Sequence, residues 1–292
     1  MPGPSEPQPP FGGRPDAPSP SWKRRWGTGA WLAAALLAHG TAAAHDSWLT
    51  PAAAQRAAGL LQLELVSGPR FPQRESGPAA GSVVRPGCRS GADRADQPLQ
   101  PRQEHATHLE LRSRVDTARG AACWLELKPH EVEMTPELVK AYFSEIRPPA
   151  ALAELWSRQQ ARGVPWRESY RKSIRLELPA AGEHRPQELQ ALRQPQGLAL
   201  EIVPIGSEPI RPGQPTDYQL LLDGKPLAEQ WVEFVSERSP LGVWRQSDAR
   251  GQVRQALPFG GRWLLRATRL EAPAQDGEPW RSRFGTLLVH AR

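Results

Sequence analysis

The chain has 292 residues and a formal net charge of +6 at pH 7. Its basic residues are mostly Arg and are scattered among acidic ones, without a long basic run or interleaved aromatic residues, so the charge does not indicate binding to nucleic acid. The sequence contains no G-x-S-x-G, H-E-x-x-H, Walker or dinucleotide-binding motif, so we predict that the protein is not an enzyme.

The first 44 residues have the features of an extension followed by an export signal. Residues 1–21 are rich in Pro, Gly and Ser, so they are either a disordered extension or the product of a start codon assigned too early. Basic residues 23–25, the apolar run 30–38 and the Ala-x-Ala site at 42–44 predict a cleaved secretory signal. The apolar run is shorter than the ~20 residues that span a bilayer. We therefore expect a soluble periplasmic or secreted protein with no transmembrane segment after signal removal.

Cleavage after Ala44 makes His45 the first residue of the mature chain and leaves 248 of the 292 residues. Cuts after Ala42 or Ala43 also present small residues to the peptidase. An uncleaved buried helix is the alternative to export.

Residues 45–133 are predicted to form an N-terminal β-sandwich module. Alternating Leu residues in 61–65, 109–111 and 125–127 are typical of strands with one buried face, whereas residues 69–102 have a loop-like composition. We expect Cys88 and Cys123 to form a disulfide in an oxidising compartment, the alternative being two free thiols. The chain-entropy model gives such a bridge about 3 kcal/mol or somewhat more.

Residues 134–172 are predicted to be a helical insertion. Thr135 suits an N-cap and Pro136 suits the first helical position, and apolar residues recur at helical spacing until the Pro pair at 148–149. A second predicted helix then extends to Gly163.

The rest of the chain is predicted to be a strand and linker, residues 173–196, and a C-terminal β-sandwich, residues 197–292. Six strand candidates occur there at the spacing of an Ig-like module, namely LALEIVPI, TDYQLLL, WVEFVS, QVRQALP, RWLLRAT and TLLVHA. Asp223-Gly224 predicts a type I′ turn. The predicted fold class is mainly β, with two Ig-like or transthyretin-like β-sandwich modules and a helical insertion between them.

The order of several short segments resembles that of a known family. The segments are AHDSWLTP, GPRFP, RESYRKSIRLEL, LEIVP, LLDGKPL, SDARGQV, GGRWLLRAT and WRSRFGTLLV. Their order is similar to that of an uncharacterised bacterial exported family that is labelled as a periplasmic component associated with nickel/cobalt uptake. The C-terminal half also looks like the transthyretin or carboxypeptidase-regulatory sandwich. The resemblance implies a periplasmic metal-handling or transport-accessory binding protein for Ni or Co, with a membrane transporter or another envelope protein as its partner.

His45 and Asp46 form the main candidate metal site. As a mature N-terminus, His45 offers its α-amino group and imidazole to one ion, which suits Cu(II) or Ni(II), and Asp46 is a candidate oxygen ligand. A cut after Ala42 instead gives Ala43-Ala44-His45, which can surround Cu(II) or Ni(II) through backbone nitrogens. The alternative without metal is that His45 only begins the first strand. A copper oxidase with an N-terminal His is the one enzymatic alternative, and it needs a second His close to His45.

His105 and His108 form a second candidate metal pair. The H-x-x-H spacing brings two imidazoles together on a helix, but the residues that follow alternate as in a strand, where positions three apart face opposite sides. His130 is predicted to lie in a solvated loop. His184 and His290 have no patterned partner.

The opposing hypothesis is a non-catalytic interaction module that binds a protein or glycan through the C-terminal sandwich. Trp244 and Trp280, if exposed, are its expected contact residues.

Overall fold

Strands dominate the parts of the chain that the structure, a computed structural model, describes, which are residues 45–53, 59–92, 95–180, 182 and 185–292. The strands are β1 (Asp46–Pro51), β2 (Leu61–Gly68), β3 (Val83–Ser90), β4 (Gln97–Pro98), β5 (Gln100–Glu104), β6 (Leu109–Ser113), β7 (Ala121–Met134), β8 (Trp166–Leu178), β9 (Leu200–Pro204), β10 (Pro215–Leu222), β11 (Lys225–Pro226), β12 (Trp231–Ser236), β13 (Ser239–Gln246), β14 (Gln252–Ala256), β15 (Gly261–Glu271) and β16 (Trp280–Ala291). The helices are α1 (Pro136–Ile146), α2 (Ala150–Ala161) and α3 (Pro186–Leu192). The predicted mainly β class is confirmed. The predicted extension, signal and cleavage site in residues 1–44 lie outside the described residues, and so does His184.

Eight strands form one sheet, the central sheet, in the order β13-β12-β15-β16-β8-β7-β3-β4. Its neighbouring strands are antiparallel except β16 and β8, which run parallel. This parallel pairing joins the last strand of the chain to a strand from its middle. A second group, the first sheet, has the order β1-β2-β6-β5, and β9, β10, β11 and β14 form the third sheet.

The first and third sheets cover opposite faces of the central sheet. Adjacent side chains on a strand point to opposite faces. Leu264 and Leu288 belong to the core that contains the first-sheet residues. Their neighbours Leu265 and Leu287 belong to the core that contains the third-sheet residues.

The helices α1 and α2 pack on the same face of the central sheet as the first sheet. Trp166 lies an even number of positions before Ile174 on β8, and Trp280 lies an even number before Leu288 on β16. Both Trp residues belong to the core formed with α1 and α2, where their rings stack with centroids 4.6 Å apart. The first sheet therefore covers one end of this face, and the helices cover the other end.

Several sequence predictions are confirmed in detail. The Thr135 hydroxyl caps α1 by accepting a hydrogen bond from the backbone N–H of Leu138. The second predicted helix corresponds to α2, and the six predicted C-terminal strands correspond to β9, β10, β12, β14, β15 and β16. Asp223 and Gly224 connect β10 to β11 with φ values of 49° and 76°, as a type I′ turn requires.

Other segments differ from the predictions. Residues 166–172, assigned to the helical insertion, are strand because β7 pairs with this segment on one side and β16 pairs with it from Glu168 onwards on the other. Residues 83–90, assigned to a loop, form β3 despite their Pro and Gly, and a Cβ atom at Gly87 would lie 2.8 Å from the Trp124 ring. The two separate sandwich modules are not confirmed, since the central sheet contains strands from both predicted modules.

Cys88 and Cys123 form the predicted disulfide. They lie opposite each other on β3 and β7, and both are buried in the core beneath the first sheet. The sequence separation of 35 corresponds to about 3–4 kcal/mol of stabilisation in the chain-entropy model.

Replacing both cysteines by alanine should lower the free energy of unfolding by about 3–4 kcal/mol, because the unfolded chain regains the freedom that the bridge removes. Urea denaturation of the exported protein under non-reducing conditions measures this change. Equal stability of the two proteins, or two thiols that alkylate without prior reduction, would contradict it.

Candidate functional site

A cavity of about 450 Å³ opens on the face of the central sheet that carries the first sheet and α1. Its apolar wall includes Leu127, Val132, Met134 and Phe284. Its polar lining includes His45, His130, Tyr142, Glu168, Tyr170 and Lys172. This combination of apolar wall and a few convergent polar groups is typical of small-molecule sites.

The cavity lies where the cover of β8 changes from the first sheet to the helices. Ile174 of β8 packs in the core beneath the first sheet, and Trp166 packs in the core with α1 and α2. The residues between them on the same face, Glu168, Tyr170 and Lys172, line the cavity. The neighbouring strand β7 also shifts register against β8 between Leu127 and His130. The cavity is therefore a gap between the first sheet and the helices, and β8 forms its floor.

Lys172 places a cation in this cavity. Its ammonium donates hydrogen bonds to the His45 carbonyl oxygen at 2.6 Å and to the Ser47 hydroxyl at 3.1 Å, and it lies 5.5 Å from the centre of the Tyr170 ring. Among the described residues, no ion pair joins Lys172 to a carboxylate. Burial lowers the pKa of Lys172 to about 8, although the charge of Asp46 opposes this effect. The ammonium is thus held by neutral oxygens and aromatic faces.

Asp46, a predicted metal ligand, lies in a buried ion-pair network at the start of β1. Its carboxylate accepts a hydrogen bond from Arg266 at 2.6 Å, and Arg266 also donates to Glu233 at 2.6 Å. Burial raises the pKa of Asp46, and Arg266 opposes that rise. Burial disfavours the charge of Arg266, but the two carboxylates still raise its pKa above the ordinary value. The geometry gives Asp46 a structural role in holding β1 against β15.

Glu168 forms the polar group at the other end of the cavity. It is 3% exposed, and it accepts hydrogen bonds from the Tyr142 hydroxyl and the Trp166 indole N–H, each at 3.1 Å, and from the Ser282 hydroxyl. Burial raises the pKa of Glu168, against the effect of these three donors. Burial and the neighbouring Glu168 raise the pKa of Tyr142 well above its ordinary value. This end of the cavity therefore contains a neutral phenol and a weakly acidic carboxyl group.

His45 lies at the cavity directly before β1. Its Nε2 atom is 3.3 Å from a carboxylate oxygen of Glu75, and its side chain is 19% exposed. His130 lines the same cavity, and its ring centroid is 5.4 Å from that of Tyr170. The prediction of a loop at His130 is wrong, because the residue belongs to β7, although its side chain is exposed. The structure thus brings to one cavity two histidines that the sequence does not pair.

His105 and His108 lie together in the turn between β5 and β6. Their rings stack with centroids 4.3 Å apart, and the His105 backbone N–H donates to the His108 carbonyl oxygen. His108 Nε2 is 3.9 Å from Glu64. Within the described ranges, no three His, Cys, Asp or Glu side chains are grouped so that they could hold a metal ion.

The two expected contact Trp residues have different environments. Trp280 is 2% exposed, so it is not a surface contact residue. Trp244 is partly exposed, and the Arg147 guanidinium lies 4.3 Å from its ring centre. In the part of the chain that the structure describes, none of the helices has the length and apolar character needed to cross a membrane.

Sequence reasoning missed Lys172, Tyr170 and Glu168 as site residues. A signal for them exists, since continuing the alternation of the strand backwards from Ile174 places all three on the buried face. The sequence prediction assigned them instead to the helical insertion, residues 134–172.

Comparison with family models gives a match to "Domain of unknown function (DUF4198)" over residues 42–271. This range includes the cavity residues named above except Phe284. No curated protein matches the chain.

Replacing Lys172 by methionine should alter stability in a pH-dependent way. Because the folded-state pKa of about 8 is below the ordinary 10.5, the unfolded chain binds more protons between these values, and the native protein gains stability as the pH rises through them. Methionine does not titrate. Relative to Lys172→Met, the unchanged chain should therefore gain about 1–3 kcal/mol between about pH 7 and pH 10.

Urea denaturation at several pH values measures this difference. Lys225→Met, at an exposed position of β11, is the matched control and should show no comparable trend. A difference for Lys172→Met that stays constant with pH would contradict the burial of its charge.

Proposed function

We propose that this chain, which belongs to the DUF4198 family, is an exported metal-handling protein that binds Ni(II), Co(II) or Cu(II) through His45. The observation that carries the proposal is the position of His45, whose backbone is held by Lys172 at a cavity that His130 also lines. Export and cleavage after Ala44 belong to the proposal, because cleavage creates the free α-amino group. The partner is then a membrane transporter or another envelope protein that delivers or receives the ion.

The proposed donors are the α-amine and imidazole of His45 and the imidazole of His130. The α-amine and Nδ1 of one histidine can bind the same ion, whereas Nε2 lies on the far side of the ring. It is Nε2 that faces Glu75, at 3.3 Å. Metal-bound histidines usually donate their second ring N–H to a carboxylate or carbonyl, which fixes the tautomer and the ring orientation. The contact does not have hydrogen-bond geometry in this structure, so we propose that Glu75 accepts from Nε2–H and orients the ring when the metal is bound. Nitrogen donors suit Ni(II) and Cu(II).

Asp46 is left out of the proposed donor set, because its carboxylate is paired with Arg266 in the buried network. Its contribution is to fix the start of β1 and hence the residue before it. His105 and His108 are a separate candidate pair, remote from His45 in sequence, and they are tested by their own variant.

The alternative function is an interaction module that binds a protein or glycan through the C-terminal strands, as a second sandwich of the Ig or transthyretin type. Of its two expected contact residues, Trp280 is buried and Trp244 is stacked against Arg147. Two large apolar residues in the described C-terminal part are exposed, namely Leu241 of the edge strand β13 at 78% and Ile205, directly after β9, at 37%. They lie on or next to strands of different sheets, and single apolar side chains of this kind are an ordinary surface feature, so metal binding is the better supported proposal.

Isothermal titration of the mature chain with Ni(II), Co(II) and Cu(II) tests the proposal. His45→Ala should abolish the tightest binding, because it removes one imidazole. One alanine added before His45 should weaken that binding at least about tenfold, since the amine then moves away from the imidazole. His184→Ala is the matched control and should bind as the unchanged chain does.

Two further variants separate the roles of the neighbouring groups. His130→Ala should weaken binding by removing a donor, and Glu75→Gln should weaken it by about 10- to 100-fold through loss of ring orientation. Affinity that survives both the added alanine and His45→Ala would contradict the proposal. Affinity that is lost in a His105→Ala/His108→Ala variant instead would assign the ion to that pair.

A further inference from the structure

The cavity is larger and more apolar than a single metal ion requires. We propose that it binds a small organic carboxylate with an apolar body, whose carboxylate pairs with the Lys172 ammonium. This second site lies beside the proposed metal donors, but it is carried by different residues and different contacts.

The charge of the cavity favours an anion. Lys172 is a largely buried ammonium that donates to a carbonyl and a hydroxyl, and the carboxylate whose charge acts on it, Asp46, is engaged by Arg266. A desolvated charge without an opposite charge in contact is unfavourable, so a carboxylate that binds there gains a strong charge-assisted hydrogen bond. Lys128 also lines the cavity. Among the described residues that line the cavity, Glu168 is the acidic one. Its carboxylate already accepts hydrogen bonds from hydroxyl and indole donors.

The apolar wall next to Lys172 predicts that the rest of the ligand, beyond its carboxylate, is apolar. Phe284 is 7% exposed, and its ring centre lies 6.0 Å from the Lys172 ammonium. An apolar surface therefore lies directly beside the charged group. Leu127 and Val132 extend this apolar surface along β7. A purely polar anion such as phosphate would leave it in contact with water, whereas an aromatic or aliphatic carboxylate would cover it.

The length of the site sets the size of the ligand. Lys172 and Glu168 are four residues apart on β8, which corresponds to about 13 Å along the strand. A cavity of about 450 Å³ lies in the usual range for small-molecule sites. Phenylacetate and hexanoate are therefore suitable probes, because each combines one carboxylate with an apolar body that fits between these two residues.

Isothermal titration of the mature, metal-free chain in the presence of EDTA tests the inference. Phenylacetate and hexanoate should bind. Phenylacetamide, which has the same shape without the charge, and inorganic phosphate, which has charge without an apolar body, should each bind at least about tenfold more weakly, a difference of about 1.4 kcal/mol.

Two variants locate the site. Lys172→Met should weaken phenylacetate binding at least about tenfold, whereas Lys225→Met, at an exposed position on β11, should leave it unchanged. Val132→Trp should block binding by filling the cavity while the charge of Lys172 stays in place. It therefore keeps the inference testable if Lys172→Met does not fold.

Several results would overturn the inference. They are absence of binding by both carboxylates at millimolar concentration, equal binding of phenylacetamide, and unchanged affinity in both cavity variants. Tighter binding of phosphate would assign the cation to a polar anion instead. Phenylacetate binding is measured on the metal-free chain and depends on Lys172, whereas metal binding is measured without phenylacetate and depends on the His45 imidazole, so this inference and the metal proposal can fail separately.

Discussion

The buried charges at the start of β1 are the constraint on which the site depends. Asp46 is paired with Arg266 of β15, and Lys172 of β8 holds the carbonyl oxygen of the preceding His45. Removing one partner of a buried ion pair leaves an uncompensated charge, at a cost of about 3–5 kcal/mol. The position of β1 is therefore set by charge as well as by the core residue Trp48, which is 1% exposed. Because β1 is fixed, the residue directly before it is also fixed at the edge of the cavity.

The same arrangement explains why the cavity has both polar and apolar walls. The third sheet covers the opposite face of the central sheet, so the first sheet and the helices share the remaining face. Neither of them packs fully over residues 168–172 of β8. The side chains of that strand then line the floor of the cavity, namely Glu168, Tyr170 and Lys172. The proposed metal donors and the proposed anion site both line this gap in the packing.

Local patterns in the sequence predicted much of the fold, but little of the site. Thr135 and the Asp223-Gly224 turn act through their own backbone neighbours, so their roles follow from the sequence. The strand at 83–90 and the buried Trp280 depend on partners distant in the chain, and the sequence predicted neither. The cavity also depends on residues that are distant in the chain. His45 and His130 line the same cavity only when β7 and β8 pair beneath β1. The depressed pKa of Lys172 likewise arises from tertiary burial.

The account rests on His45 carrying a free α-amino group at the cavity. Intact-mass measurement of the protein purified after export tests this claim most directly. We predict a mass equal to residues 45–292 with the Cys88–Cys123 bridge intact. A mass that retains residues before His45 would contradict the account, because the backbone nitrogen of His45 would then belong to a peptide bond and would not be the free amine that the account requires.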